Sequence, residues 1–283
     1  MGKADLHIHT TASDGSCDPV EIIQLASSKF LNTISITDHD TIDGYLAAVD
    51  EARKFAIRLI PGVEITAYHN RKEIHILAYD FNPKDITFRN FLTSQRKARL
   101  ERMERILHYL RSSQGIDLSL DEVKAQARST NVGRPHLAQI LVRKKYVASI
   151  AEAFIRYLGS PMLENIEIEY ADIEHVIDVV DQATGATVLA HPGAVYNMVE
   201  TEEYLNFGLD GIECIHPSHS YGEQKQFIEL AEKNNLLITG GSDFHGTGRE
   251  YDPFFGIVTI SEQKLDRLQA MTGNRKKLQM EKE

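Results

Sequence analysis

The chain has 283 residues, 42% hydrophobic and 25% charged, which fits one large α/β domain or one domain with a sizeable insertion. Its formal net charge of −10 disfavours stable binding to long nucleic acid, while leaving room for a small phosphorylated ligand if bound metals reverse the sign locally. No apolar run reaches the ~18 residues of a membrane helix; the N-terminus lacks an apolar signal core, so a cytoplasmic protein without a membrane partner is expected; and the two cysteines, Cys17 and Cys214, make neither a disulfide framework nor a thiolate metal site.

The first strand is expected at Ala4–Ile8. Asp18 then reads as an N-cap, with Pro19 in the first helical position and Glu21 three residues after the cap, opening a helix that runs to about Phe30. The β-branched run at 33–37 predicts a second strand, 43–55 a helix, and 58–65 and 73–79 further strands, the last alternating at Ile74, Ile76 and Ala78. Between about 85 and 159 only helix signals occur, at 94–111, at 119–128 with Ser119 as cap, at 135–145 and at 149–158. Alternation then resumes: helix 172–184, strand 186–190, helix 200–207, strand 210–215, helix 221–234 and strand 236–240, before a solvated tail from Arg275. Alternating strands and helices predict a parallel sheet with right-handed crossovers, and about seven strands predict a closed or nearly closed barrel, with a doubly wound open sheet as the alternative. The expected division is a β/α barrel over 1–82 and 166–265, a helical insertion over 83–165 covering the active site, and a tail over 266–283.

The acids and histidines fall at strand ends on this map. His7 and His9 are two apart and so face the same way on a strand, and Asp14 follows in the next loop. The second strand ends in Asp38-His39-Asp40, the third carries Glu64, and the fourth carries His75 nearer its middle. The later strands end in His191, His216 and Asp243-Phe244-His245. In a parallel barrel the C-terminal strand ends converge on one face. Imidazoles and carboxylates without thiolates suit Mn²⁺, Zn²⁺ or Fe²⁺. A carboxylate such as Glu64 can bridge two metals about 3.5–4 Å apart, a pair suited to displacement at phosphorus. Each residue alone is weak evidence, but so many ligand-type groups at one convergence point would be costly to bury without metal. Asp38 and Asp40 are left unassigned, Asp38 standing open between orienting a ligand histidine and capping the following segment.

Taken together, the segments Asp5-Leu6-His7-Ile8-His9, Ile36-Thr37-Asp38-His39-Asp40, Gly62-Val63-Glu64, Ile74-His75-Ile76-Leu77, Ala190-His191-Pro192 and Ser242-Asp243-Phe244-His245-Gly246 resemble the polymerase and histidinol phosphatase (PHP) family. The resemblance implies a distorted seven-stranded β/α (TIM-like) barrel with a helical insertion and a site for two to three divalent metals. In the family's pattern one metal takes His7, His9, Glu64 and Asp243, a second Glu64, His75 and His191, and a third Asp14, His39 and His245. Gly133-Arg134-Pro135-His136 and Ile215-His216-Pro217-Ser218-His219 further resemble a subfamily of nucleoside 3′,5′-bisphosphate phosphatases and a 5′-to-3′ exoribonuclease of short RNA. There Arg134 would bind substrate phosphate with His216 near it. Lys145 departs from that pattern, which has glycine.

The residues themselves leave Arg134 open between a bidentate phosphate fork at a helix start and a surface charge pair. Arg96, Lys97, Arg99, Arg102 and Arg105 form a basic helix face that either guides a polyanion or is simply solvated beside Glu101 and Glu104. The expected reaction is hydrolysis of a nucleotide phosphomonoester by a metal-bound hydroxide, with the proton donor to the leaving group unassigned. The alternatives are an exoribonuclease acting on short RNA, a histidinol-phosphate phosphatase, against which the insertion with Arg134 argues, and a metal-binding module without turnover.

Overall fold

The computed structural model describes residues 2–127, 129, 131–159, 163, 166 and 169–281. The elements are β1 (Lys3–Asp5), α1 (Pro19–Ser28), β2 (Thr33–Ile36), α2 (Asp43–Lys54), β3 (Arg58–His69), β4 (Lys72–Tyr79), α3 (Ile86–Gln114), α4 (Leu120–Ala127), α5 (Arg134–Arg143) and α6 (Ile150–Ala153), which runs into a π turn at Phe154–Leu158. There follow α7 (Ile173–Gln182), β5 (Ala186–Leu189), a single turn α8 (Pro192–Val195), α9 (Met198–Leu205), β6 (Gly211–Ile215), α10 (Tyr221–Lys233), β7 (Leu237–Gly240), β8 (Ile260–Ser261) and α11 (Leu265–Met280). The start of α1 follows the side-chain chemistry read from the sequence, whereas α3 begins at Ile86 behind an Asp85 cap, ahead of the helix expected at 94–111. The Asp18 carboxylate accepts from the Val20 and Glu21 N–H groups while Glu21 accepts from the Asp18 N–H.

The strands form one eight-stranded sheet in the order β7-β6-β5-β4-β3-β2-β1-β8. It curls into a barrel that is nearly closed, because Leu6 N–H donates to Gly240 O at 3.2 Å and Ile8 bridges Phe244. Two features depart from the expected parallel sheet of about seven strands, and a third departs from the expected tail. First, β3 and β4 form an antiparallel hairpin with Glu64 opposite Leu77 and Thr66 opposite His75, and β4 also runs antiparallel to β5. No helix fits between β3 and β4, since only Asn70 and Arg71 link them, both left-handed (φ 48° and 63°) as a two-residue hairpin turn requires. Second, β8 adds an antiparallel strand beside β1. Third, the residues expected as a solvated tail belong to α11. Its Leu265, Leu268 and Thr272 are buried, and Arg275 binds Asp210 (2.9 Å) and Asp181 (2.7 Å).

The antiparallel β4 decides where the insertion begins. It returns the chain to the barrel's opposite end, and α3 climbs back beside the sheet over 29 residues, or about 43 Å at 1.5 Å per residue. Its first turns bury Phe88, Phe91 and Leu92 in the core shared by β3, β4 and α7. Its last turns bury Met103, Ile106, Leu107 and Leu110 in a separate core with α4, α5 and Leu158. The C-terminal bound expected for the insertion, residue 165, lies outside the described residues, as do the last two positions of the expected tail. Lys145 stands at φ 62°, which accounts for a glycine preference at this position. No helix among the described residues is long and apolar enough to cross a membrane.

Candidate active site

The strand ends deliver their side chains around Glu64, which is 1% exposed. Its Oε2 lies 3.5 Å from His7 Nε2, 3.2 Å from His9 Nε2 and 3.1 Å from His39 Nδ1. Its Oε1 lies 2.8 Å from His75 Nδ1 and 3.0 Å from His191 Nε2. Asp243 Oδ1 stands 3.3 Å from His7 Nε2 and 3.2 Å from His9 Nε2, while Asp14 reaches His245 Nε2 at 3.4 Å and His39 Nε2 at 3.8 Å. All nine residues read as ligands from the sequence are thus in one cluster. The hairpin explains His75. Because β4 runs downward, His75 on its first half sits level with Thr66 on the last half of β3, at the same barrel end as the other ligands.

The donor chemistry fits divalent cations. The His7 and His9 Nε2 atoms approach to 3.2 Å, and His75 Nδ1 and His191 Nε2 to 3.3 Å, contacts between ring nitrogens that shared coordination satisfies better than hydrogen bonding. His191 Nδ1 is buried without a hydrogen-bond partner among the described residues. Compatible ligand groups among the described residues are His9, Asp14, His39 and His245; His7, His9 and Asp243; His7, Glu213 and His216; His7, Glu64 and His191; and His39, Glu64 and His75. Burial disfavours the charged forms throughout and holds His39 and His191 below the ordinary imidazole range, while opposite charges outweigh it at other members of the cluster. His39, His75 and His7 draw the Glu64 carboxyl well below its ordinary range, and Asp243 and Glu64 raise His9 to about 10. His191 (φ 29°) and Asp243 (φ 51°) adopt left-handed backbone, a conformation held only where surrounding contacts enforce it.

Glu213 on β6 is a functional residue that the sequence reading missed. Its Oε1 accepts from His7 Nδ1 at 2.9 Å and its Oε2 from His191 N at 2.8 Å, in full burial. With Nδ1 donating, the lone pair of His7 Nε2 faces the cluster. The available signal was a lone carboxylate in the apolar strand Gly-Ile-Glu-Cys-Ile. Asp38 and Asp40 take separate roles. Asp38 accepts from Thr10 N, Thr10 Oγ1 and Ser13 Oγ (2.7, 2.7 and 2.5 Å), fixing the loop after His9. Asp40 accepts from Thr66 N at 2.8 Å and from Arg99 Nε at 3.0 Å, anchoring α3. His216 is 1% exposed, behind Asp243. Its Nδ1 accepts from Ser218 N at 3.1 Å, so Nε2 carries the proton, 3.4 Å from Asp243 Oδ2.

A cavity of about 210 Å³ opens over the cluster, lined on one side by Asp14, His39, Glu64, His75, Asp243 and His245. Its other wall contains Arg99, Arg102 and Met103 of α3 and Arg134 of α5 beside Phe154 and Tyr170. The basic face of α3 is therefore divided. Arg99 and Arg102 are buried in the cavity wall, whereas Arg96 and Lys97 pair with Asp43 and Glu101 nearer the surface and Arg105 pairs with Glu169. Arg134 opens α5 as expected, its guanidinium over Phe154 and 2.8 Å from Glu73 Oε2.

Comparison with known proteins agrees with this geometry. The sequence profile of the PHP domain matches residues 5–172. The chain is 33% identical to the 5′-3′ exoribonuclease Rnm of Escherichia coli (85% of this chain, 84% of that protein) and 30% identical to a 3′,5′-nucleoside bisphosphate phosphatase of Chromobacterium violaceum (88% and 89%). Among solved structures, a Bifidobacterium adolescentis protein described as a metal-dependent phosphoesterase superposes with a TM-score of 0.83 at 28% identity, covering 95% of this chain and 96% of its own. Ligand cluster, barrel and relatives converge on one assignment: the chain belongs to the PHP family, as a metal-dependent phosphoesterase.

Proposed function

We propose that the protein removes a phosphate from a nucleotide carrying two separate phosphates, such as a nucleoside 3′,5′-bisphosphate. The observation that carries this reading is the two-sided cavity, with a metal-ligand cluster on one wall and three arginines on the other. His7, His9, Asp14, His39, Glu64, His75, His191, Asp243 and His245 would hold the cations, whose identity among manganese, zinc and iron the donor set leaves undivided. Bound there, divalent cations supply Lewis acidity toward a phosphoryl group and its attacking water. The chain's own residues do the rest. Glu213 fixes the tautomer of His7, Glu64 spaces the histidines, and Arg102 and Arg134 offer planar forks to the phosphate that does not react. The insertion, which carries these arginines, would cover the site and define its substrate end.

The test compares manganese-loaded protein on a nucleoside 3′,5′-bisphosphate, the matching monophosphates and a labelled short RNA. A charge-assisted fork contributes about 1.5–3 kcal/mol, so kcat/KM should favour the bisphosphate by roughly 10- to 100-fold. Equal rates on bisphosphate and monophosphate would refute a second phosphate site. The 33%-identical relative favours exoribonuclease action as the second reading, and a ladder of shortening 5′-labelled RNA products faster than bisphosphate turnover would select it.

A further inference from the structure

Glu73 is the acid of the cavity that neither the metal cluster nor the arginine wall accounts for. It precedes His75 by two residues on β4 and so faces the same side of the sheet. Its Oε1 lies 3.5 Å from His75 Nε2, and its Oε2 receives both Arg102 and Arg134 at 2.8 Å. The carboxylate thus stands between the two walls, 15% exposed at its side chain. Its backbone is fixed as well, since Glu73 O accepts from the Tyr196 hydroxyl at 3.3 Å and that hydroxyl accepts from His75 N at 3.1 Å. Two guanidiniums sharing one carboxylate oxygen leave a surplus positive charge. Arg102 Nε, in addition, is a buried donor with no partner among the described residues. A single oxygen satisfies neither fork, whereas a tetrahedral oxyanion offers enough oxygens for both.

We infer that Glu73 is a built-in competitor for the anion, a tethered carboxylate that holds Arg102 and Arg134 side by side and must share or yield them when a phosphoryl or sulfuryl group enters. It is a positioning residue, acting on bound anions through the arginines. This rests on the reading of the arginine wall as an anion site, though not on the identity of the nucleotide. The carboxylate lowers affinity for any anion that arrives while preventing the two cations from swinging apart, so it trades binding strength for a preset geometry and easier release.

The experiment is calorimetric titration of sulfate into the manganese-loaded full chain, with metal content and thermal melting measured on every variant. Glu73→Gln removes the competing charge and keeps the shape, and it should tighten sulfate about five- to tenfold. Glu73→Asp keeps the charge but withdraws it by one methylene, and it should tighten sulfate less. The gain must vanish when Arg102→Met is added. Unchanged or weaker sulfate binding in both variants would overturn the inference. So would a gain that survives Arg102→Met, which places the ion elsewhere, or loss of metal in both Glu73 variants, which makes the residue a support of His75 alone. A bisphosphate with no kinetic advantage over a monophosphate would sink the nucleotide reading and leave the sulfate result standing.

Discussion

Glu213 and Glu64 are both buried glutamates on barrel strands, and they differ in what faces them. Glu64 is surrounded by five ring nitrogens at 2.8–3.5 Å, whereas Glu213 meets one ring nitrogen, His7 Nδ1, and the backbone of His191. The first was legible in the sequence, because Gly62-Val63-Glu64 is a motif and its neighbours are strand-end histidines. The second was not, because nothing in Gly-Ile-Glu-Cys-Ile says which residue 206 positions away it will orient. Glu213→Gln tests the distinction. It keeps the size and one acceptor but weakens the hold on the His7 tautomer, so metal affinity should fall about 10- to 100-fold with the fold intact. Metal analysis after dialysis against graded chelator, with melting curves alongside, measures it; unaltered affinity would make Glu213 a packing residue. Asp38 and Asp40 carry the same lesson. Two acids two positions apart serve a loop and a helix, a division set by tertiary neighbours absent from the local sequence.

Among the elements, legibility followed the strength of the local signal. The capping box of α1 and the β-branched run of β2 specify themselves through neighbouring residues, and the structure has both. The two-residue turn at Asn70-Arg71 was hidden because Arg at a left-handed position carries no hairpin signature, so strand direction was misjudged there. β8 is two residues long, too short to show a period. α11 was misread because its basic stretch, Arg275-Lys276-Lys277, looks solvated; Arg275 instead reaches Asp210 and Asp181, and Lys276 reaches Asp80 at 3.0 Å. α11 is thus a structural part of the barrel. Leu268, 2% exposed in a core with Leu77 and Val188, should cost about 2–5 kcal/mol on truncation to alanine, seen as a lower denaturant midpoint at unchanged slope. A loss below about 0.5 kcal/mol, the range of ordinary surface changes, would return α11 to the status of a tail.

At the scale of the whole molecule, the metal cluster concentrates the buried polar groups of the barrel in one place. The nine side chains expected as ligands meet there, most of them under one tenth exposed. Cations that bind only the folded chain stabilise it by mass action, about 4 kcal/mol at a thousand times Kd. Removing metal with chelator should therefore lower Tm by roughly 10 °C, restored by manganese. An unchanged Tm after confirmed metal removal would separate the cluster from stability altogether.

α3 spans both halves of this molecule, and its spacing works as a ruler. Phe88, Phe91 and Leu92 fix its foot in the barrel core, Gln95 meets Thr66, Arg99 meets Asp40 and Arg102 meets Glu73, each about one turn above the last. A helix translates length into angle, at about 100° and 1.5 Å per residue. One alanine inserted after Leu92 would leave every metal ligand in place and turn the arginines about a quarter of the way round the helix, away from the cavity. Such a variant should keep its metal and hydrolyse an aryl phosphate while losing any advantage for a doubly phosphorylated substrate; if that advantage survived, the arginines would not be its source. On the proposed reading, which phosphate ester this barrel selects would be a matter of counting residues along one helix, a dimension that can change without touching the chemistry beneath it.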